Sequence, residues 1–326
     1  MREAVMDPLV SIVIPLFNEE PVVDTLYARL MQVIDGHRLR AEVVLVNDGS
    51  TDGTMDKVRR ICERDDRVRV LGFSRNFGHQ MAITAGIERA AGDVVVVMDA
   101  DLQDPPEVIP EMLRKWREGY AVVHAVRTAR KGESYPKRAT AALFYRLLRR
   151  LTDVEISVDA GDFRLMDRKV VDQLTRMPER FRFVRGMVSW VGFRQGSVGY
   201  VREDRVAGET KYPWRKMVRF ALDGIFSFSQ VPLRLSSALG FLSSGLAFLF
   251  MIYGLVVRAF FPAHAVTGWA SIFVALLFLG GVQLISVGIL GEYLGRIYDE
   301  VKRRPLYIAD EEINFGAGPI STSSAR

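Results

Sequence analysis

The stretch VVVVMDADLQDPP, Val94 to Pro106, runs four valines and a methionine straight into Asp99, Asp101 and Asp104. Valines at successive positions put apolar side chains on both faces of an extended chain. That pattern predicts a central strand of a parallel sheet, covered on each side. Carboxylates at its end fall where open α/β sheets bind ligands, beyond the carboxyl ends of the strands. Asp99 and Asp101, spaced D-x-D, offer hard oxygen ligands to a divalent cation, and Gln103 offers another. Such a cation, Mg²⁺ above all, bridges to ligand phosphates. An isolated D-x-D is equally well explained as a turn, and Asp104, ahead of two prolines, reads as a turn starter.

The surrounding chain repeats the pattern. Short β-rich runs at 10–15, 42–48, 68–74, 93–99 and 121–127 alternate with helix-period segments at about 21–34, 53–63, 78–90 and 108–118. The βαβα rhythm predicts an open, mostly parallel sheet with helices on both faces. Polar clusters follow each strand: NEE, NDGSTDGT, SRNFGH and DADLQD. Asp48 in the second can accept hydrogen bonds from a base or ribose, or cap the helix that follows. Arg75 in the third can meet a phosphate. Four strand ends together suit a diphosphate-containing nucleotide and its metal.

Composition narrows the partners. The 326 residues carry a formal net charge of +5, which fits an anionic partner, and 49% are hydrophobic. A single cysteine, Cys62, excludes an internal disulfide and a Cys-based metal site. The first apolar run is too short for a signal peptide. No G-x-G-x-x-G follows a strand and no G-x-x-x-x-G-K-[ST] occurs, which argues against a dinucleotide dehydrogenase and a P-loop NTPase.

Two segments, 236–257 and 267–291, contain no charged residue. Each exceeds the roughly 20 residues that cross a bilayer as a helix. Arg215, Lys216, Arg219 and Arg234 precede the first, and Arg296, Lys302, Arg303 and Arg304 follow the second. This bias places both flanks, and the N-terminal region, in the cytoplasm. The expected organisation is a cytoplasmic α/β domain over 1–211, a juxtamembrane amphipathic helix over 212–234, a two-helix membrane domain over 235–292 and a cytoplasmic tail over 293–326. Within the first, about 136–151 reads as an amphipathic helix, either a surface helix of the sheet or one lying on the membrane. The segment GAGPISTSSAR is expected to be disordered.

VSIVIPLFNEE, VVLVNDGSTDGT, SRNFGHQMAITAGI and VVVMDADLQDPP, in this order, resemble family 2 glycosyltransferases of the GT-A fold. DAGDFRLMDRKVVD (159–172) and the two spans resemble the polyisoprenyl-phosphate branch, which includes bactoprenol glucosyltransferases and dolichol-phosphate mannose synthases. The resemblance covers roughly residues 8–308. It implies a base and ribose pocket of Pro15, Phe17, Glu19, Val46 and Asp48. It implies a D-x-D of Asp99, Ala100 and Asp101, with Gln103, holding Mg²⁺ or Mn²⁺ against the departing UDP. Arg127 and Lys137 or Arg138 match acceptor-phosphate positions, and Arg202, Arg205 and Lys211 follow downstream. Asp159 or Asp162 matches an acidic residue near the acceptor that orients the nucleophile or acts as base; Asp162 is favoured slightly.

The implied reaction is inverting transfer of a hexose, glucose foremost, from a UDP-sugar to undecaprenyl phosphate at the cytoplasmic face. Relatives with these motifs also use GDP-mannose and dolichyl phosphate. The expected partners are the UDP-sugar, the polyprenyl phosphate, the bilayer and further copies of the chain, a tetramer by resemblance, with no nucleic acid. A processive synthase is disfavoured because QVPLR (230–234) lacks the Q-x-x-R-W spacing and its Trp. A non-catalytic scaffold is disfavoured by intact Asp48, Arg75, Asp99 and Asp101.

Overall fold

A computed structural model describes residues 7–127, 160–201, 229, 231–260 and 268–316. The chain divides into two compact units, one holding the sheet and the chain from Arg303 onward, the other built on Trp214–Lys302.

The first unit follows the expected rhythm closely. Strands β1 (Val10–Leu16), β2 (Ala41–Asn47), β3 (Val68–Phe73), β4 (Val94–Val97) and β5 (Val122–Arg127) alternate with α1 (Val23–Gly36), α2 (Thr54–Cys62), α3 (His79–Arg89) and α4 (Ile109–Arg117). After them come β6 (Ala160–Asp167), α5 (Arg168–Arg176), α6 (Val184–Trp190), β7 (Gln195–Tyr200) and, from the chain beyond Arg303, β8 (Ala309–Ile313). The sheet has eight strands in the order β7-β5-β6-β4-β1-β2-β3-β8. Pairs β1·β2, β1·β4, β2·β3 and β5·β7 are parallel; β4·β6, β5·β6 and β3·β8 are antiparallel.

Burial explains why the middle strands were readable. Every residue of β1 and β4 is buried, as two covered faces require. On one face α1 presents Val23, Leu26, Leu30 and Ile34, spaced three to four residues apart along one helical stripe. On the other, α3 lies so close that a Cβ on Gly86 would come 2.2 Å from Val13 Cγ1. Helix α5 starts where the Asp167 carboxylate accepts the Lys169 N–H at 2.9 Å.

Strand β6 decides where the site sits. It runs antiparallel to β4 and β5, so its first residues, not its last, reach the carboxyl edge of the parallel strands. Asp162 therefore arrives beside the end of β4 although it begins its own strand.

The second unit contains α7 (Val231–Phe260) and α8 (Trp269–Val301), which pack on each other. The Tyr293 hydroxyl donates to the Ser229 carbonyl at 2.5 Å. Both helices are long and apolar enough to cross a membrane. Their large apolar side chains are exposed, Phe241 at 81% and Leu284 at 74%, which distinguishes them from core helices of a water-soluble domain.

Helix α8 runs past 292, where the membrane domain was expected to end, into the segment expected as a cytoplasmic tail. The helix continues to Val301 because Leu294, Ile297 and Val301 extend its apolar stripe, and Arg296 pairs with Glu292 one turn earlier at 3.3 Å. Beyond it, β8 joins the sheet, with Tyr307 stacked on Phe73 at 4.9 Å. The amphipathic helix at 136–151 and the juxtamembrane segment at 212–228 lie outside the described residues, as do the last ten positions, which cover nearly all of the segment expected to be disordered.

Candidate active site

The loops after β1, β2 and β3 are laced to one another through backbone groups. Asn18, at φ +56°, accepts the Thr51 N–H at 2.8 Å while its own N–H donates to Ser50 Oγ at 2.9 Å. Glu19 N–H donates to Thr54 Oγ1 at 2.9 Å, and Glu20 accepts the Gly53 N–H at 2.9 Å. Gly49 stands at φ +65°, and a Cβ there would lie 2.3 Å from the Arg75 carbonyl carbon, so only glycine lets the second and third loops meet. Asp48 is buried and accepts the N–H groups of Phe77 and Gly78 at 2.7 and 3.0 Å, which fixes the entry to α3. Burial raises its pKa, with those two amides and His79 opposing.

Of the residues expected around the base, Phe17 is exposed at 46% and Glu19 is partly exposed. Val46 is enclosed between strands and α3, and Pro15 is likewise buried. Asp48 is already engaged by loop amides, which makes it a loop anchor. Arg75 lies over the Phe77 ring at 4.0 Å and donates to the Asn76 carbonyl at 3.0 Å.

Past β4, the D-x-D segment contains Leu102 at φ +59°, an uncommon conformation for a leucine. Asp99 Oδ1 is buried and has no hydrogen-bond partner. Its carboxyl is pushed up to about 6, chiefly by burial, with His79 opposing and Asp162, Asp104 and Asp101 adding. Asp101 accepts the Gln103 N–H at 3.1 Å. Ala100 is buried. An acceptor oxygen shielded from water without a donor, among neighbouring carboxylates, is the electrostatic situation a divalent cation relieves. The residues present therefore fit such an ion.

Opposite Asp99 stands a cluster of basic side chains gathered on Asp162. Ligand atoms of His79, Asp99 and Asp162 lie within 4.8 Å of one another. His79 Nε2 is 3.5 Å from Asp99 Oδ1 and 3.4 Å from Asp162 Oδ2. Asp162 Oδ1 accepts from Arg164 Nη2 and Arg185 Nε, both at 2.9 Å, and Oδ2 accepts from Arg185 Nη2 at 3.0 Å. Burial opposes its ionisation, but His79, Arg185 and Arg164 hold the carboxyl well below the usual carboxylate range. Both oxygens are thus engaged by guanidinium groups, and together with His79 and Asp99 the carboxylate forms a group that could hold a metal ion. Asp162 is the counter-ion that organises Arg185 and His79.

A third group lies on the same edge. Asp104 is 1% exposed and accepts the Tyr200 hydroxyl, which replaces the reading of Asp104 as a plain turn residue. Arg127 Nε donates to the same hydroxyl at 3.3 Å. Asp159, Lys137, Arg138, Arg202, Arg205 and Lys211 lie outside the described residues. His79, Arg164, Arg185 and Tyr200 were not singled out from the sequence. His79 sits in the quoted SRNFGHQ segment, which alone pointed to it.

Comparisons with known proteins agree with this geometry. The model of glycosyl transferase family 2 matches residues 11–175. The chain is 54% identical over 301 residues to the uncharacterized glycosyltransferase YkcC of Bacillus subtilis (strain 168), covering 92% of this chain and 93% of that one. It is 47% identical to the uncharacterized glycosyltransferase sll0501 of Synechocystis sp. (strain ATCC 27184 / PCC 6803 / Kazusa), covering 92% and 94%. It is 42% identical to the prophage bactoprenol glucosyl transferase homolog of Escherichia coli (strain K12), covering 92% and 97%. The chain belongs to glycosyl transferase family 2.

Proposed function

We propose that the protein transfers glucose from UDP-glucose to a polyprenyl phosphate carrier at the cytoplasmic face of a membrane, with inversion at the anomeric carbon. The observation that carries this reading is the juxtaposition, at one sheet edge, of the Asp99 oxygen that has no hydrogen bond and the Asp162-held Arg185 and His79. One side suits a cation-bound diphosphate, the other an anionic acceptor. The relatives named for bactoprenol glucosyl transfer span nearly the whole chain, and the two apolar helices supply a reason for the acceptor to be a lipid.

In this reading Asp99 and Asp101, with Gln103, would hold Mg²⁺ or Mn²⁺, which would supply Lewis-acid neutralisation of the leaving diphosphate. Phe17 offers its exposed ring to the base. Arg127 and Arg185 attract and orient the acceptor phosphate, whose oxygen is already ionised near neutral pH. No general base is required, in keeping with the occupied oxygens of Asp162. One phosphate oxygen forms the bond to the anomeric carbon as the bond from that carbon to the UDP oxygen breaks, and the electron pair leaves on the β-phosphate. Exposed helices α7 and α8 anchor the catalytic unit, with both flanks cytoplasmic by their basic residues.

Membranes containing the protein are given radiolabelled UDP-glucose with and without undecaprenyl phosphate. Lipid-extractable label that depends on the added lipid is expected. Label from GDP-mannose instead would reassign the donor, and no label from any nucleotide sugar would overturn the reading.

A further inference from the structure

Tyr200 ends β7 and Arg127 ends β5, and the two are register partners at the close of a parallel ladder. The Tyr200 hydroxyl accepts from Arg127 Nε at 3.3 Å and donates to buried Asp104. Asp104 is three residues beyond Asp101, past the left-handed Leu102. The Tyr200 ring is held edge-on to Phe163, fully buried, with centroids 5.9 Å apart. One phenol therefore joins the D-x-D loop to the guanidinium of Arg127. Burial foremost, together with Asp104, pushes the phenol up to about 12, so it stays a neutral donor at working pH.

We propose that Tyr200 is a positioning residue for the acceptor: by engaging Arg127 Nε and Asp104 together, it aims the Arg127 guanidinium at a lipid phosphate at a fixed offset from the D-x-D loop. This rests on the acceptor reading above. A hydroxyl serving packing alone would affect donor and acceptor alike, since the ring and not the oxygen fills the core.

Steady-state kinetics on the full chain in nanodiscs, with UDP-glucose and undecaprenyl phosphate, tests this. Tyr200→Phe keeps the ring and removes one hydrogen-bonded oxygen. It is expected to raise the acceptor KM about fivefold, as loss of the bond that orients Arg127 implies, with the donor KM within about twofold. In an Arg127→Ala background the same change is expected to add less than about twofold, because the two residues act as one unit. Asp104→Ala is expected to reproduce the acceptor effect, and Asp104→Asn, which keeps an acceptor for the hydroxyl, to retain most of the wild-type value. Equal rises in both KM values, or full multiplication of the two effects in the double variant, would overturn the proposal. So would an unchanged acceptor KM in both Tyr200→Phe and Asp104→Ala. An active wild type with any of these outcomes removes the positioning role alone. A wild type inert towards every lipid phosphate removes the functional reading, and this one with it.

Discussion

Asp162 shows how much a single buried charge can be asked to hold. Arg164 is almost fully enclosed, and burial lowers its pKa to about 10 against the pull of Asp162. Asp162→Asn would leave that guanidinium without its counter-ion. A loss of roughly 3–5 kcal/mol in stability is expected, read from thermal or denaturant unfolding, because a stranded buried charge costs its desolvation. Asp101→Asn replaces one carboxylate oxygen of a half-buried residue, so it is expected to abolish turnover while the protein still folds and inserts. Near-normal rates at ordinary Mg²⁺ would remove Asp101 from the metal site. His124 supplies a pH dependence. It is buried beside Arg164, and burial first, then Arg164, pulls its pKa down to about 4 while Gln195 holds it at 2.8 Å. The unfolded chain takes up this proton near the usual pH of about 6.5, the folded chain only near 4. Stability is therefore full above about pH 6.5 and declines between there and pH 4, by at most ~1.4 kcal/mol per unit. Melting curves at pH 7 and pH 5 should differ less in His124→Gln than in wild type. Asp99 and Asp101 were legible from the sequence because they end an unmistakable strand. His79 and Arg185 were not, since each meets Asp162 only across 83 and 23 residues of chain.

At the scale of elements, the strand-end loops work as one object. Gly49→Ala forces a Cβ into the Arg75 backbone at a positive φ, so the second and third loops must part. The expected result is a rise in donor KM of about tenfold or more, in line with ~1–2 kcal/mol of left-handed strain plus displacement. An unchanged donor KM would show that the lacing does not shape the nucleotide site. The central strands were readable because two covered faces leave continuous apolar runs. Strands β6 and β8 escaped for the opposite reason. AGDFRLMD places Arg164 in the interior, where Asp162 and the Gly161 carbonyl hold its guanidinium, and ADEEI has three acids in five residues. Two of those in β8 are answered from other elements, Glu311 by Arg59 at 2.7 Å and Glu312 by Arg89. Tertiary partners thus override strand propensity, and a local pattern cannot display them.

The whole molecule is a catalytic sheet interrupted, late in the chain, by two apolar helices. The topology argued from basic flanks is testable by thiol labelling. Cys62 is buried and its thiol is pushed up to about 11, mainly by burial, so it contributes little background. A cysteine placed at His264 is expected to react with an impermeant reagent from outside, and one at Arg304 only after the membrane is opened. The reverse pattern would invert the orientation. The return of β8 to the sheet has a consequence for biogenesis. The free edge of β3 stays open while α7 and α8 are made, and its partner strand emerges from the ribosome only after both. Asn314, which donates to the carbonyls of Cys62 and Val68 at 2.9 and 2.8 Å, arrives later still. Completion of the enzyme is thereby made conditional on synthesis of its anchor. Nascent chains stalled before residue 309 should remain protease-sensitive around β3, and chains released past 316 should not.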